Sequence, residues 1–405
     1  MVVIVGTGIV GAATAYYLSC TSGGKIPITL LDAAGPASCS SGKAGAFLTN
    51  RPPSFRRGIG DDGKVSDKRR LLFEKSFELH QELAKELDLE SFCRVENYQT
   101  VEAKESDSND NDNIHEDSQQ SILNDITRDG KGTMLPGDAA LVDPAELVAS
   151  MMDKVLSQPN SSFRQASMVG LEVDESKSFV TGIQIETIDN EDSVLFVDEE
   201  EPVVIALGPW TARIEDWLGI PMPIEGVLST SLIYRDAIPN QDVGTALFFD
   251  DDSNGCHLEV FGRQDKSLYV SGCGESQVIG TELLRSEDRP SPKVPCTADA
   301  ARAQAAQKSL QTAGYTEASP GMIQACIRPV SPDGVPLVGK LLDNVYVGTG
   351  GGPWGITWGP LMGQSLACLI QDDDEDPPIR LGPLSPRRFD TFVYKSLLKS
   401  RTSAP

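Results

Sequence analysis

Histidine is scarce in this chain, with three in 405 residues, and its eight cysteines (20, 39, 93, 256, 273, 296, 326 and 368) form no C-x-x-C pair. None of them clusters with a histidine at metal-ligand spacing, so neither a zinc site nor a disulfide framework is expected, and most thiols read as buried or idle. No metal is expected. Long apolar runs are also missing: none approaches the roughly 18 to 20 residues that would cross a bilayer. Basic residues are in deficit, 35 Lys and Arg against 59 Asp and Glu, giving a formal charge of −24. Such a field repels nucleic acid and anionic lipid, while a small zwitterion stays compatible because one local cation can decide its binding. A first strand starting at Met1 or Val2 leaves no room for a leader, which points to a reducing, cytoplasmic compartment; a start inside a longer precursor stays open.

What the chain does have begins at once. Val2-Val3-Ile4-Val5 runs into Gly6-Thr7-Gly8-Ile9-Val10-Gly11, and Asp32 follows 21 residues later at the end of a second apolar run, Ile28-Thr29-Leu30-Leu31. In G-x-G-x-x-G the first glycine permits a tight turn, the second admits a pyrophosphate to the backbone, and the third lets helix pack closely on strand. The helix beginning near Ile9 would offer its free N–H groups and positive end to the diphosphate. Asp32 is placed to accept hydrogen bonds from ribose hydroxyls. FAD and NAD share this fingerprint, so the segment alone leaves both open.

The length holds two ordinary domains. Apolar residues recur at helical spacing from Asp67 to Leu89, with His80 read as a helix-face residue. Residues 103–132 turn polar and acidic, and a mobile surface insertion is expected there. Asp143 and Pro144 sit where a helix cap and first position belong. Strand-like runs follow at 167–173, 180–186 and 203–207, and alternating segments at 246–249, 257–261 and 267–271 suggest antiparallel strands of a second domain. His257 reads as an ordinary strand residue. Near the end, Asn344–Val347 leads into Gly348-Thr349-Gly350-Gly351-Gly352-Pro353-Trp354-Gly355-Ile356 and a helix from about residue 359 to 370. A simple nicotinamide dehydrogenase gives this second glycine-rich corner no role. A flavoprotein does, because a second helix N-terminus can stabilise negative charge on the reduced flavin.

Four segments together resemble the FAD-dependent amine and amino-acid oxidase superfamily, which includes glycine oxidase, sarcosine oxidase and D-amino-acid oxidase. They are VVIVGTGIVGAATAYYL with Asp32, ASCSSGKAGAFL (37–48), VVIALGPWT (203–211) and the block from Cys326 to Ala367. The chain is most like eukaryotic oxidoreductases with an S-G-K-A-G loop. The resemblance implies an α/β fold: a discontinuous Rossmann-like FAD-binding domain (1–90, 140–215 and 326–405) under a mixed or antiparallel β-sheet substrate domain (91–139 and 216–325).

It also implies roles. Gly6, Gly8 and Gly11, with Ile9 and Val10, look like the diphosphate turn, and Asp32 with Ala33 the ribose end. Ser40, Ser41, Gly42, Lys43 and Ala44 look like the loop along the cofactor, and Met168 or Val169 lies where a strand meets adenine. Gly208 and Trp210 belong to the second crossing, and Gly350, Gly351, Gly352, Trp354, Gly355 and Ile356 to the turn over the flavin. Arg328 takes the place of the arginine that binds substrate carboxylate, the alternative being an arginine that ties the Asp333 turn. Cys326 stands where sarcosine oxidase carries a covalent flavin link that glycine oxidase lacks. The oxygen-activating lysine of sarcosine oxidase has no equivalent in Ser267–Gly272; Lys43 and Lys266 are the nearby lysines in sequence.

The expected activity is therefore FAD-dependent oxidation of a C–N bond in a small amine or amino acid, by hydride transfer to flavin N5, with oxygen or another acceptor. That chemistry needs a deprotonated amine but no histidine base. A flavin-holding regulatory or scaffold protein without turnover, and a nicotinamide-dependent dehydrogenase, are the alternatives.

Overall fold

In Val2–Val5 all four side chains are apolar and buried, the pattern of a strand covered on both faces. The computed structural model describes residues 1–51, 67–102, 121, 123, 132–187, 189, 191–274, 276–286, 296–315, 319–371 and 377–389. The chain starts as β1 (Val2–Val5), α1 (Ile9–Ser22), β2 (Ile28–Asp32), α2 (Ser40–Lys43), β3 (Phe47–Thr49) and α3 (Asp67–Glu86). It continues through β4 (Cys93–Arg94), β5 (Asn97–Val101), β6 (Gly132–Met134), β7 (Ala139–Leu141), α4 (Pro144–Leu156), β8 (Ser161–Val173), β9 (Val180–Thr187), β10 (Asp192–Phe196) and β11 (Val203–Ile205). Next come α5 (Ile214–Leu218), β12 (Glu225–Tyr234), β13 (Thr245–Phe249), β14 (Glu259–Gly262), β15 (Leu268–Ser271), β16 (Gln277–Ile279), α6 (Thr281–Arg285) and α7 (Ala300–Thr312). The chain closes with β17 (Met322–Val330), β18 (Leu337–Lys340), β19 (Val345–Thr349) and α8 (Gly355–Gln371).

One sheet has the order β10-β9-β8-β2-β1-β11-β19-β18. Its centre is parallel, β1 lying between β2 and β11, and its edges are antiparallel. The second sheet, the roof, runs β16-β12-β15-β14-β13-β5-β6, with β17 paired along β12. A boundary at residue 326 therefore cuts through a strand, because β17 belongs to the roof as far as Val330. The last helix also starts four residues before the expected 359, at Gly355.

Because side chains alternate across a strand, the roof sheet has two different faces. Leu232, Leu247, Val260 and Val270 pack with Ala303, Ala306 and Leu310 of α7 in one core. The opposite face carries Ala246, Phe248, Phe261 and Tyr269, which join Phe47 and Tyr98. Of the acidic stretch 103–132, only Ser121, Leu123 and Gly132 fall among the described residues. Leu123 is buried, and its N–H donates to Oδ2 of Asp242 at 3.1 Å, so at this point the stretch is anchored to the roof.

Helices α1 and α8, from opposite ends of the chain, pack against each other through small residues. A Cβ on Gly359 would lie 2.6 Å from Ile9, and one on Gly363 would lie 2.5 Å from the Cβ of Ala13. Helix α8 also contains Pro360, which has no N–H to donate to the carbonyl four residues back. His80, buried on α3, supplies a donor there: its Nε2 lies 3.0 Å from the Ile356 carbonyl and 3.1 Å from that of Thr357. Burial holds this imidazole neutral and lowers its pKa from 6.5 to about 4, against the two carbonyls, which favour the charged form. The unfolded chain therefore takes up the proton first as pH falls, and stability is expected to decline between about pH 6.5 and 4, by at most about 3 kcal/mol. Denaturant titration at pH 7 and pH 5 checks this: His80→Gln, which keeps a neutral donor, should show a flatter dependence than the native chain.

Candidate functional site

One long cavity runs between the two sheets, and its walls come from both ends of the sequence. The β1-to-α1 corner forms its floor. Gly6 sits at φ +96°, where a Cβ would lie 2.3 Å from the Ala206 carbonyl oxygen. A Cβ on Gly11 would lie 1.9 Å from the oxygen of Gly6, and one on Gly8 would lie 2.8 Å from Ser41 Oγ. Helix α1 has no side-chain cap at Gly8, and the Ile9 N–H donates to Ser41 Oγ at 3.0 Å. Gly6, Gly8, Ile9 and Val10 line the cavity. Gly11 does not line it; it acts by allowing the turn to close.

Asp32 and Ala33 line one end. Oδ2 of Asp32 accepts from the N–H and hydroxyl of Thr7 at 2.7 and 3.0 Å, and Oδ1 from the N–H groups of Ala34 and Gly35 at 2.9 and 3.0 Å. A carboxylate has about four acceptor sites, so these are filled, and a ribose hydroxyl would have to take over the place of the Thr7 hydroxyl. In this arrangement Asp32 holds the two loops together. Nearby, the β8–β9 register slips between Met168 and Gly170, and both Met168 and Val169 reach the cavity wall.

The α2 loop divides. Ser40, Ser41 and Ala44 line the cavity, whereas Gly42 and Lys43 do not. Gly42 packs on backbone, its Cβ position 2.1 Å from the Ala37 oxygen. Lys43 bridges to the roof: its Nζ donates to the Ala325 carbonyl at 3.0 Å, and its own carbonyl accepts from Tyr269 and Gln324 at 3.2 and 3.1 Å. A catalytic part for Lys43 is not what this geometry provides. The ammonium is used to tie α2 to β17.

Gly208 and Trp210 form the second crossing, at which the Thr349 hydroxyl donates to the Gly208 carbonyl at 2.8 Å. Gly350, Gly351, Gly352, Trp354, Gly355 and Ile356 complete the opposite wall. This corner approaches the first one closely: a Cβ on Gly348 would lie 2.6 Å from Val10. Two helix N-termini, those of α1 and α8, thus border a single cavity.

Arg328 lines the cavity from β17, and no hydrogen bond or ion pair joins its side chain to another described residue; its Nε is buried without a partner. The Asp333 turn is tied instead by Arg388, whose Nε and Nη2 donate to the two carboxylate oxygens at 2.9 and 2.8 Å. Cys326, two residues before Arg328, is buried and lines the same wall; burial pushes its thiol up, with Arg328 and Lys43 acting in the opposite sense. His257 lies on the wall just before β14, 3.5 Å from Asp251. The alternating pattern gave no sign of which roof residues turn inward. Phe248, Glu259, Phe261, Tyr269 and Ser271 do so. Among the described residues no group of His, Cys, Asp and Glu has a metal-holding arrangement, and no helix is long and apolar enough to cross a membrane.

The glycine positions along the floor leave space that any Cβ would fill, and the helix ends favour negative charge. A dinucleotide such as FAD fits this set of residues. The family model for FAD dependent oxidoreductases (DAO) matches residues 1–369. A Schizosaccharomyces pombe protein, C1F5.03c, named as an oxidoreductase, is 26% identical over 395 residues, covering 92% of this chain and 94% of its own. Iminodiacetate oxidase from Chelativorans sp. BNC1 superposes with a TM-score of 0.67 at 17% identity, over 95% of this chain and 99% of that one. Glycine oxidase from Geobacillus kaustophilus gives 0.65 at 18% identity, over 96% and 98%, and L-amino acid deaminase from Proteus vulgaris 0.70 at 16%, over 96% of each. At these identities the structural likeness carries the α/β fold alone. The family match extends over both glycine corners and the roof, and this chain belongs to the FAD dependent oxidoreductase family.

Proposed function

We propose that the protein oxidises the C–N bond of a small amino acid or related amine whose carboxylate is held by Arg328. The observation that carries this reading is the unpartnered guanidinium on the cavity wall. Its planar fork can donate two parallel charge-assisted hydrogen bonds to one carboxylate, and a half-buried cation with no partner gains more from such an anion than a solvated one.

The Gly6–Gly11 corner, Ser40, Ser41, Ala44, Met168, the Gly208 crossing and the Gly350–Ile356 turn would hold FAD, which would supply the two-electron chemistry as acceptor of a hydride from the carbon bearing the amine. The chain's own part is placement and field. Arg328 fixes the substrate by its carboxylate, and Phe47, Phe248, Phe261 and Tyr269 exclude water from one wall. The N-terminus of α8 favours negative charge beside it. The amine must be neutral to release a hydride, and the resulting imine is hydrolysed to a carbonyl compound and ammonia. Oxygen or another acceptor would take up the two electrons.

Anaerobic mixing of the holoenzyme with a panel of amino acids and amines tests the reading. Loss of the long-wavelength flavin absorbance is expected with carboxylate-bearing members. A flavin that stays oxidised with every member overturns it.

A further inference from the structure

Glu259 lies on the inward face of the roof, in register with Phe248 on β13 and with Ser271 on β15, and Phe261 follows two residues along the same face. All four line the cavity. Ser271 Oγ donates to Glu259 Oε2 at 3.0 Å, which steadies the carboxylate against its strand. Tyr269, stacked on Phe261 with ring centroids 6.0 Å apart and 5° between planes, extends the aromatic surface. Burial pushes the Tyr269 hydroxyl up to about 12, and Arg328 is among the groups near enough to oppose that rise. The wall therefore presents a cation and a carboxylate separated by aromatic rings.

We propose that Glu259 is a specificity-determining residue that receives a second, non-reacting positive charge on the substrate, so that the preferred substrates are amino acids with a basic side chain. The inference rests on the amine-oxidising reading and adds to it the charge of the substrate's far end. A carboxylate beside the reacting nitrogen would hold that nitrogen protonated, which opposes hydride release. The acid is better matched to a nitrogen that stays charged throughout. Phe248, Phe261 and Tyr269 suit the hydrocarbon stem between the two charges, and their faces attract a cation. Of the other basic groups on the wall, Arg302 donates to the carbonyls of Cys273 and Gly274 at 2.8 and 2.9 Å, Arg213 lies over the Trp217 ring at 5.1 Å, and His257 lies 3.5 Å from Asp251.

Two measurements on the holoenzyme test this. Perturbation of the flavin spectrum gives dissociation constants for 6-aminohexanoate and hexanoate, which differ by one terminal ammonium and cannot be oxidised as α-amino acids. The native protein is expected to bind the former at least about tenfold more tightly, the size of one charge-assisted contact, and Glu259→Gln should bring that ratio close to unity. In the second measurement, rates of anaerobic flavin reduction by lysine and ornithine are compared with norleucine, each in both enantiomers. A preference for the basic members of about tenfold or more is expected, shrinking in Glu259→Gln. Equal affinity for the two hexanoates in the native protein overturns the proposal, as does a ratio that Glu259→Gln leaves untouched. If the binding ratio holds while no amine reduces the flavin, the cation subsite stands and the oxidation chemistry falls.

Discussion

Gly11→Ala is expected to leave the purified protein without flavin and to reduce its stability by about 3 kcal/mol or more, toward the upper end of what overpacking does. The added methyl would lie 1.9 Å from the Gly6 carbonyl oxygen and 3.0 Å from its carbon. Both atoms are backbone, so no side chain can swing aside. Gly6 has no room to retreat either, because its own Cβ position is 2.3 Å from the Ala206 oxygen at the end of the next strand. The methyl must therefore push α1 away from the sheet and open the turn that α1 shares with the cavity floor. Gly382→Ala, at a position with nothing within 4 Å, serves as the control and should keep its flavin. The ratio of flavin to protein after gel filtration, with thermal unfolding of both variants, reads the result. A Gly11→Ala protein carrying a full complement of flavin would show that this corner is not the cofactor's seat.

Arg328→Met should lower kcat/KM for carboxylate-bearing substrates by about 10²- to 10³-fold, the loss of a bidentate charge-assisted contact. Matched amines lacking the carboxylate should lose less than about tenfold. Methionine keeps much of the aliphatic stem, so the comparison isolates the guanidinium from its packing. Flavin content is not expected to change, because Arg388, and not Arg328, ties the Asp333 turn beside the C-terminal glycine corner. Equal losses for both substrate types would return Arg328 to a structural part.

How much of this was legible beforehand follows the range of the interactions involved. The Gly6-to-Asp32 segment was readable because its requirements are local: a strand, a turn that only glycine can make and a helix lie within a few residues of one another. Helix α4 was readable for the same reason, with Asp143 accepting from the N–H groups of Ala145 and Glu146. Asp32 was only half legible. Its place at a strand end is visible in the sequence, but its four donors come from Thr7 and from the turn after it, and that sharing needs the two loops in contact. Lys43 misled for a similar reason, since its partner carbonyl at Ala325 lies 282 positions away. In the roof, alternation announced strands but did not say which parity faced inward. The parity at 257–261 and 267–271 follows from α7, which covers Val260 and Val270 and leaves Phe261 and Tyr269 on the other face, and Glu259 was missed along with it.

The pairing of α1 with α8 has a consequence for biosynthesis. In a nascent polypeptide Val2–Val5 leave the ribosome well before the strand on their far side, which ends at Ile205, and long before the helix that covers Ile9 and Ala13, which begins only at Gly355. Over that interval the apolar segment has no permanent neighbour on that side. Folding of the nucleotide-binding half is therefore expected to be largely post-translational, and a ribosome stalled before Gly355 should display a chain that proteases and chaperones recognise as incomplete.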